Sequence, residues 1–367
     1  MGLDILIAIN DQTDSQLSDQ VSNVEVYEKI DQNTQYKLTF MVDICDEDIA
    51  RSLGEKTSPG STLSVVARVK DDLVCLVKGP VTQQEIHLQH GGSGSWIKVE
   101  GEDTGYGLDR TVSFNVFTGT DADIVTGILS NSPQMSADVE STPQSSHEEE
   151  DNSLVQRETD LSLIRSLARR NGYHFWITYT NEGEATGHFR SRSLDGTPGA
   201  DLIINADTYN IESLRLNADA RSPSRVISRQ LNLRTKEVMG GETTLDDPRL
   251  GEDGLQTVAG GEGQSIHLAP VVDDAGALDA RSTAALRDAQ WFIHATCKTS
   301  VFRLCKIVRA HTLVNLQGAG SRYSGKYYVS GVRHTIDPAA HVMDLELERN
   351  AWGTAPAGGA GLLSNIF

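Results

Sequence analysis

Ten histidines and 51 acidic residues are spread over the 367 residues of the chain. The residue types and spacings that catalysis or metal binding would need can be checked one by one. His87 and His90 lie in EIHLQHGG, which reads as strand, and a spacing of three on a strand puts the two imidazoles on opposite faces. His334 and His341 bracket HTIDPAAH, where a hairpin brings them together with Asp337 nearby, but no Cys or Glu stands at ligand spacing to complete a metal site. His174 sits among aromatics in YHFWITYT, on the opposite strand face from Tyr173 and Phe175, and is read as structural. Arg165, Arg169 and Arg170 form a cluster just before it, which is read as a solvated or ion-paired helix face and not as a phosphate grip.

The sequence contains no G-x-S-x-G elbow, no H-E-x-x-H, no P-loop and no strand-linked G-x-G-x-x-G. Gly318, Gly320 and Gly325 precede a strand and not a helix, so they read as bend residues and not as a phosphate cradle. Paired carboxylates for glycoside hydrolysis leave little sequence trace, and with 51 acids a chance pair carries no information. The expectation is a protein with no catalytic, cofactor-binding or metal-binding residues.

Something other than chemistry must then explain the chain, and composition narrows it. Its length needs more than one core. Hydrophobic residues at 38% and aromatics at 6%, with 33 glycines, favour strands and turns over long helices. A net charge of -19 repels phosphate backbones and anionic headgroups, so neither nucleic acid nor an acidic membrane surface is expected as partner. Cys45, Cys75, Cys297 and Cys305 show no CxxC pair and are read as free thiols, with Cys297 at a helix end and Cys305 on the next strand. The start, MGLDILIAINDQTD, lacks a basic n-region, and no apolar run nears the roughly 20 residues of a membrane span. The chain is expected to be made in the cytoplasm without a signal peptide.

Residues 1–115 alternate in period two between turn residues, as an antiparallel barrel or sandwich does, with Asp71 and Asp72 as a tight hairpin. A short helix follows in TGTDADIVTGILSN, with Ile124, Val125, Ile128 and Leu129 on one face. Residues 131–153 are Ser-, Pro- and acid-rich and read as an exposed, mobile loop. In ETDLSLIRSLARRNGYHFWITY, Thr159 or Asp160 caps a helix with Leu161, Ile164, Leu167 and Ala168 on one stripe. Asn171-Gly172 ends that helix before a strand. Residues 116–200 are thus a small α/β domain. Residues 201–350 return to strands, with 240–263 as an acidic, Gly-rich insertion loop. A helix is placed on ARSTAALRDAQWFIHATCK through Ala285, Ala289, Phe292, Ile293 and Thr296, and strand on SVFRLCKIVRAHTLVNLQ. Residues 351–367 read as a flexible tail.

Three of these stretches, in order, resemble the baseplate hub proteins of contractile phage tails, the late control D family, and the hub-like first part of VgrG of type VI secretion. Gln156, Glu158, Thr159, Asp160, Leu163, Ala168, Gly172, Tyr173 and Phe175 match the family's central signature. Leu163 replaces a frequent Phe there, and Arg165 stands one position from the family's Arg. TGTDADIVTGILSN resembles the helix upstream, and SGKYYVSGVRHTID with HVMDLELERN resembles the closing strands. The resemblance spans about residues 110–350, the first hundred residues agreeing by β pattern only.

The resemblance implies a mainly β chain of two tube-like antiparallel barrels joined by the α/β insert. It implies a homotrimer whose six barrels form a pseudo-hexameric ring adapting a six-fold inner tube to a three-fold spike. The partners it implies are the chain itself, an inner tube protein, a separate spike protein, since the chain stops at Phe367 without a needle, and baseplate wedge components. It implies no enzyme activity, no cofactor and no metal. The strong negative charge would suit the lumen of such a tube. Two other readings remain open: a tail-associated peptidoglycan hydrolase or peptidase, and a surface carbohydrate-binding β protein.

Overall fold

The protein is described from a computed structural model. It covers residues 5–43, 47–90, 94–132, 135–142, 147, 153–231, 236–244, 248–258, 260, 264–268, 272 and 275–353. The first part of the chain runs β1 (Ile5–Ile9), β2 (Gln12–Thr13), α1 (Ser15–Gln20), β3 (Val21–Lys29), β4 (Gln35–Val42), α2 (Glu47–Lys56), β5 (Thr62–Val69), β6 (Asp72–His87) and β7 (Ser95–Glu102). The middle part is β8 (Val116–Phe117), α3 (Asp121–Ser130), β9 (Met135–Val139), β10 (Leu154–Val155), α4 (Asp160–Asn171), β11 (His174–Tyr179) and β12 (Ala185–Arg190). Next come β13 (Ala200–Ile203), β14 (Ile211–Ala218), β15 (Arg225–Leu231), β16 (Val238–Thr243), β17 (Asp253–Gly254), α5 (Leu255–Val258), β18 (Ser265–Leu268) and α6 (Ala275–Ala289). The chain closes with β19 (Ile293–Ser300), α7 (Val301–Leu304), β20 (Leu313–Gln317), α8 (Gly320–Tyr323), β21 (Gly325–Ile336), β22 (His341–Arg349) and β23 (Ala351–Trp352).

The fold is mainly β. One 13-stranded sheet follows the order β14-β19-β22-β21-β3-β4-β7-β6-β5-β1-β2, with β20 on β21 and β13 on β20. The period-two alternation read from the sequence is what lets this sheet bury one face. In β3, Val21, Val24 and Val26 point inward, and in β22, Met343, Leu345 and Leu347 do. The buried side chains form one cluster under β1–β7 around Leu38, Phe40 and Val65, and another under β13–β22 around Phe292, Val314 and Val332. A third, built on Ile124, Leu129, Ile164, Leu167 and Phe189, fills the middle part.

The two halves of the large sheet share one plan. The run β3, β4, a helix, β5, β6, β7 is repeated as β14, β19, a helix, β20, β21, β22. Both β6 and β21 are long strands that pair with a short strand (β5 or β20) through their first part and with β7 or β22 farther on. Even the irregularities recur. A bulge between Val21 and Asn23 is matched by one between Ile211 and Ser213, and a bulge between Val81 and Gln83 by one between Val329 and Gly331. The halves are joined where β21 pairs antiparallel with β3, Gly331 opposite Lys29 and Ile336 opposite Val24.

Several sequence expectations need correction. The β5–β6 hairpin turns at Lys70-Asp71, with Val69 opposite Asp72, because Lys70 takes the left-handed conformation at φ 55°. Residues 131–153 are not simply a mobile loop. Met135–Val139 forms β9, which adds parallel to β12, since a sheet edge supplies backbone partners that composition does not reveal. The 240–263 insertion likewise contains most of β16, paired with β15, as well as β17 and α5. The helix expected over 280–298 is α6, which runs Ala275–Ala289 and not through Phe292, Ile293 and Thr296; those residues and Cys297 belong to β19 or its approach. Cys305 ends α7 in a left-handed turn, so no strand runs through it. Ala351 and Trp352 pair with β17 and are no part of a tail; residues 354–367 lie outside the described residues.

The middle part follows its local signals closely. Thr120 and Asp123 form a capping box on α3, and Thr159 caps α4 through the Ser162 amide. Gly172 ends α4 at φ 68°, and a Cβ there would stand 3.1 Å from Ala284 Cα and 3.3 Å from Ala284 Cβ on α6. The same glycine therefore stops one helix and admits another. Gly172→Ala should destabilise the protein by about 2–4 kcal/mol, combining a left-handed alanine with overpacking. A lowered urea midpoint at unchanged slope would verify it, whereas an unchanged midpoint would show that α6 stands off from α4.

Candidate functional site

Period-two alternation delivers charged residues to the outer face of the sheet junction as surely as it delivers apolar ones to the core. Across β3, β4, β7, β14, β19, β21 and β22 this face forms a groove of about 860 Å³. It is ion-paired: Lys37 with Glu100 at 2.8 Å and Arg333 with Glu25 at 2.6 Å line it, and Lys29 reaches the lining Glu346 from beside it at 2.9 Å. Tyr27 donates to Glu346 at 3.2 Å. The carboxylate partners raise both lysines above the ordinary lysine range. Exposed pairs of this kind are each worth about 0–1 kcal/mol, so they do little for stability. Their effect is to present a wide polar surface with balanced charge.

Behind the sheet lies a polar junction where all three parts of the chain meet. Asp31, left-handed at φ 61° in the β3–β4 turn, accepts from His174 Nδ1 at 2.9 Å. Arg192 Nε donates to His174 Nε2 at 3.1 Å, and Arg192 Nη1 to Glu348 at 2.5 Å. These two contacts fix the orientation of the imidazole between the two segments. Burial pushes the Asp31 carboxyl up, but the hydrogen bond from His174 and the nearby guanidinium charges outweigh it and leave the group below the usual carboxylate range. Arg192 also lies over the Trp291 ring at 4.2 Å. The Asp–His pair has the look of an acid–base dyad, yet an arginine occupies the position where a nucleophile would sit. His174 therefore joins three segments of the chain.

A second Asp–His arrangement went unread in the sequence. Asp138 on β9 accepts from His188 Nδ1 at 2.8 Å, and His188 Nε2 meets the Thr178 hydroxyl at 2.7 Å. Trp176 stacks on His188 with centroids 4.9 Å apart and on His311 at 3.9 Å, above a cavity of about 300 Å³. Burial and the surrounding cations drive the His311 imidazole well below its ordinary range, so it is neutral. The order acid, imidazole, hydroxyl is that of a hydrolase relay. Here the alcohol is a β-branched side chain fixed on a strand, and Arg190 binds the same Asp138 carboxylate at 3.0 Å. The three adjacent strands of one small sheet supply Asp138, His188 and Thr178, Asp138 from a place far from the other two in sequence, so no spacing signals them; only the alternation 174, 176, 178 puts Thr178 on the face of Trp176.

The residues singled out in the sequence are mostly kept apart. His87 is exposed and stacks on Trp96 at 5.3 Å, while His90 lies in the following turn. His334 and His341 do meet, Nδ1 to Nε2 at 3.1 Å, and burial, with its neighbour's charge, pushes His341 down to about 3. Asp337 instead caps the turn, accepting from the Ala339 and Ala340 amides at 2.8 and 2.9 Å. No group of three or more His, Cys, Asp or Glu residues placed to hold a metal exists among the described residues. Gly318, Gly320 and Gly325 adopt φ of 83°, 80° and 129° around α8. That segment wraps the buried guanidinium of Arg349, which donates to the Ser324 and Leu250 carbonyls, both at 2.9 Å.

The arginines of α4 divide their work. Arg165 donates to Asn33 at 2.7 Å, Arg169 is exposed, and Arg170 binds the buried Asp121 at the start of α3 with its Nε at 2.6 Å. Burial pushes the Asp121 carboxyl up, but hydrogen bonds from His147 and Arg170 and the guanidinium charge hold it below the usual range.

The Alg8 N-terminal domain family matches residues 4–338, and no curated protein matches the sequence. Among solved structures, a tail protein from Neisseria meningitidis shares 14% identity over 97% of this chain and 100% of its own, with a TM-score of 0.67. An Escherichia coli component of the type VI secretion system, described as structurally similar to bacteriophage tail proteins, shares 12% over 96% and 79%, at 0.57. A chain of the Francisella PdpA–VgrG complex shares 8% over 97% and 54%, at 0.55. The fold is thus that of phage tail and secretion-system proteins. Among the described residues no helix is long and apolar enough to cross a membrane.

Removing one partner of the buried Arg170–Asp121 pair leaves an uncompensated charge, so Arg170→Ala should lose about 3–5 kcal/mol at pH 7. The Asp121 contribution is full above the unfolded carboxylate pKa and is lost as pH falls through its depressed folded value. Denaturation midpoints of wild type and variant should therefore converge toward acid; a gap that stays constant from pH 7 to below the carboxylate range would contradict this assignment.

Proposed function

The chain belongs to the Alg8 N-terminal domain family and has the fold of phage tail proteins, and from these premises we propose that it is the structural baseplate hub of a contractile tail or injection system. Its units are residues 1–115 and 201–350 as two tube-like barrels, with residues 116–200 as the α/β insert between them. Three copies form a ring of six barrels that adapts a six-fold inner tube to a three-fold spike. The spike is a separate protein, and baseplate wedge components bind outside the ring. The role calls for no catalytic residue, cofactor or metal.

The observation that supports this reading most directly is the repeated strand plan, bulges included, within a single chain. A chain with two copies of one module can meet a six-fold partner with three molecules while keeping three-fold individuality. The ion-paired groove adds support, since a broad face of balanced charge gives cargo little to adhere to. It also modifies the expectation of a strongly negative lumen: on that face acids and bases nearly cancel.

Light scattering on the purified protein should return three times the 39.9 kDa chain mass; a stable monomer would remove the hub reading and favour the surface-binding one. The Asp138–His188–Thr178 relay gives the hydrolase reading its own test. Peptidoglycan incubated with the protein should release no more soluble fragments than buffer alone. Release that His188→Ala abolishes would replace the hub by an enzyme.

A further inference from the structure

The repeat inside the chain leaves one of its junctions unmade. Within the chain, the second half of β21 pairs with β3. By strand order and matching bulges, β21 corresponds to β6 and β3 to β14. Gly331 thus answers to Gln83, Arg333 to Glu85 and Ile336 to Leu88, while Lys29 answers to Asp219, Tyr27 to Asn217 and Glu25 to Arg215. Yet among the described residues β14 is the end of the sheet, and residues 82–87 pair with β7 alone. Both free edges therefore have the shape of a junction already formed elsewhere in the molecule.

Burial shows what is missing at those edges. Ile86 and Leu88 are 50% and 62% exposed, whereas their counterparts His334 and Ile336 are 0% and 3% exposed under the β21–β3 junction. On the other edge Leu214 and Leu216 are only half-buried, whereas their counterparts Val24 and Val26 are wholly buried. Charge completes the comparison. Arg333 binds Glu25 diagonally across the formed junction; at the corresponding places stand Glu85 and Arg215, the same pair with its signs exchanged. Glu85 reaches only Lys98, at 3.8 Å, and Arg215 has no ion-pair partner among the described residues.

We propose that β14 of one copy pairs antiparallel with residues 83–88 of a second copy, placing Gln83 opposite Asp219, Glu85 opposite Asn217 and His87 opposite Arg215. The contact is heterologous, so each chain offers one edge and accepts the other, and successive copies close into a ring or extend. Closure at three copies rests on the hub reading; the seam itself rests on the repeat. Unpaired strand edges are otherwise a liability for aggregation, and this seam covers both.

Ile30 donates to the Ser330 carbonyl, which makes 331–29 and 333–27 the non-hydrogen-bonded pairs, and by correspondence Glu85–Asn217 is one too. Such pairs bring Cα atoms to about 4.5 Å, within disulfide range. With Cys45 and Cys305 replaced by serine, Glu85→Cys/Asn217→Cys should cross-link on mild oxidation into a ladder that ends at three chains. Glu85→Cys/Ser213→Cys, four residues out of register, should not. Glu85→Arg should weaken the assembly seen by light scattering, and adding Arg215→Glu should restore it. A trimer that fails to cross-link at 85–217 would overturn the seam while sparing the ring. Cross-linked chains extending beyond three would keep the seam and overturn three-fold closure. A monomer without cross-links would overturn both.

Discussion

The architecture depends on one antiparallel contact, that of β21 with β3, made between residues some 300 positions apart in sequence. It turns two separately cored half-sheets into one continuous surface. Beneath it Glu28, buried, receives Arg309 and the Ala310 amide, with His334 at 3.5 Å. Burial pushes the Glu28 carboxyl up, but the Arg309 charge and His334 outweigh it and keep it below the ordinary range. Arg309 goes on to hold the Cys75 and Leu76 carbonyls, both at 2.9 Å. One carboxylate thus couples the junction strand to the loop before β20 and to the bend of β6. Losing it would leave a guanidinium in the interior, a far larger loss than breaking any pair in the groove outside.

Much of the fold could be read from the sequence wherever the signal was local. The stripe Leu161, Ile164, Leu167 and Ala168, the Thr159 cap and the Gly172 stop were set by helix periodicity and left-handed glycine chemistry, and all three stand in the structure. The stretches VSNVEVYEKI and HVMDLELERN, both read as strand, likewise bury Val24, Val26, Leu345 and Leu347 on one face. What failed was non-local. Met135–Val139 alternates Met, Ala and Val with Ser and Asp over only five residues inside a Ser-, Pro- and acid-rich stretch, and its partner strand β12 is some 50 residues away in sequence. Phe292 and Ile293 fit a helical spacing by coincidence, and the pairing of β19 with β22 decides otherwise.

The site was less legible than the fold, because its groups converge from separate strands. Asp31 and His174 are 143 residues apart, and His188 and Asp138 are 50 apart. No spacing rule joins such pairs. The seam edges were invisible for a related reason: the halves share strand order and bulge positions but little residue identity, so the repeat exists in pairing and not in letters. The exchanged signs of Arg333–Glu25 and Glu85–Arg215 illustrate this, since a search for similar residues scores them as mismatches.

The two modules are not copies in every respect. Between β3 and β4 the chain needs only a short turn, whereas between β14 and β19 it inserts β15–β18 and α6, and α6 packs on α4 at Gly172. In a head-to-tail ring of the kind proposed above, positions with and without this insertion would alternate. A neighbour that touches only the shared strand framework would sense even spacing all the way round. One that touches the insertion would sense half as many equivalent places, because the added mass falls on every other module.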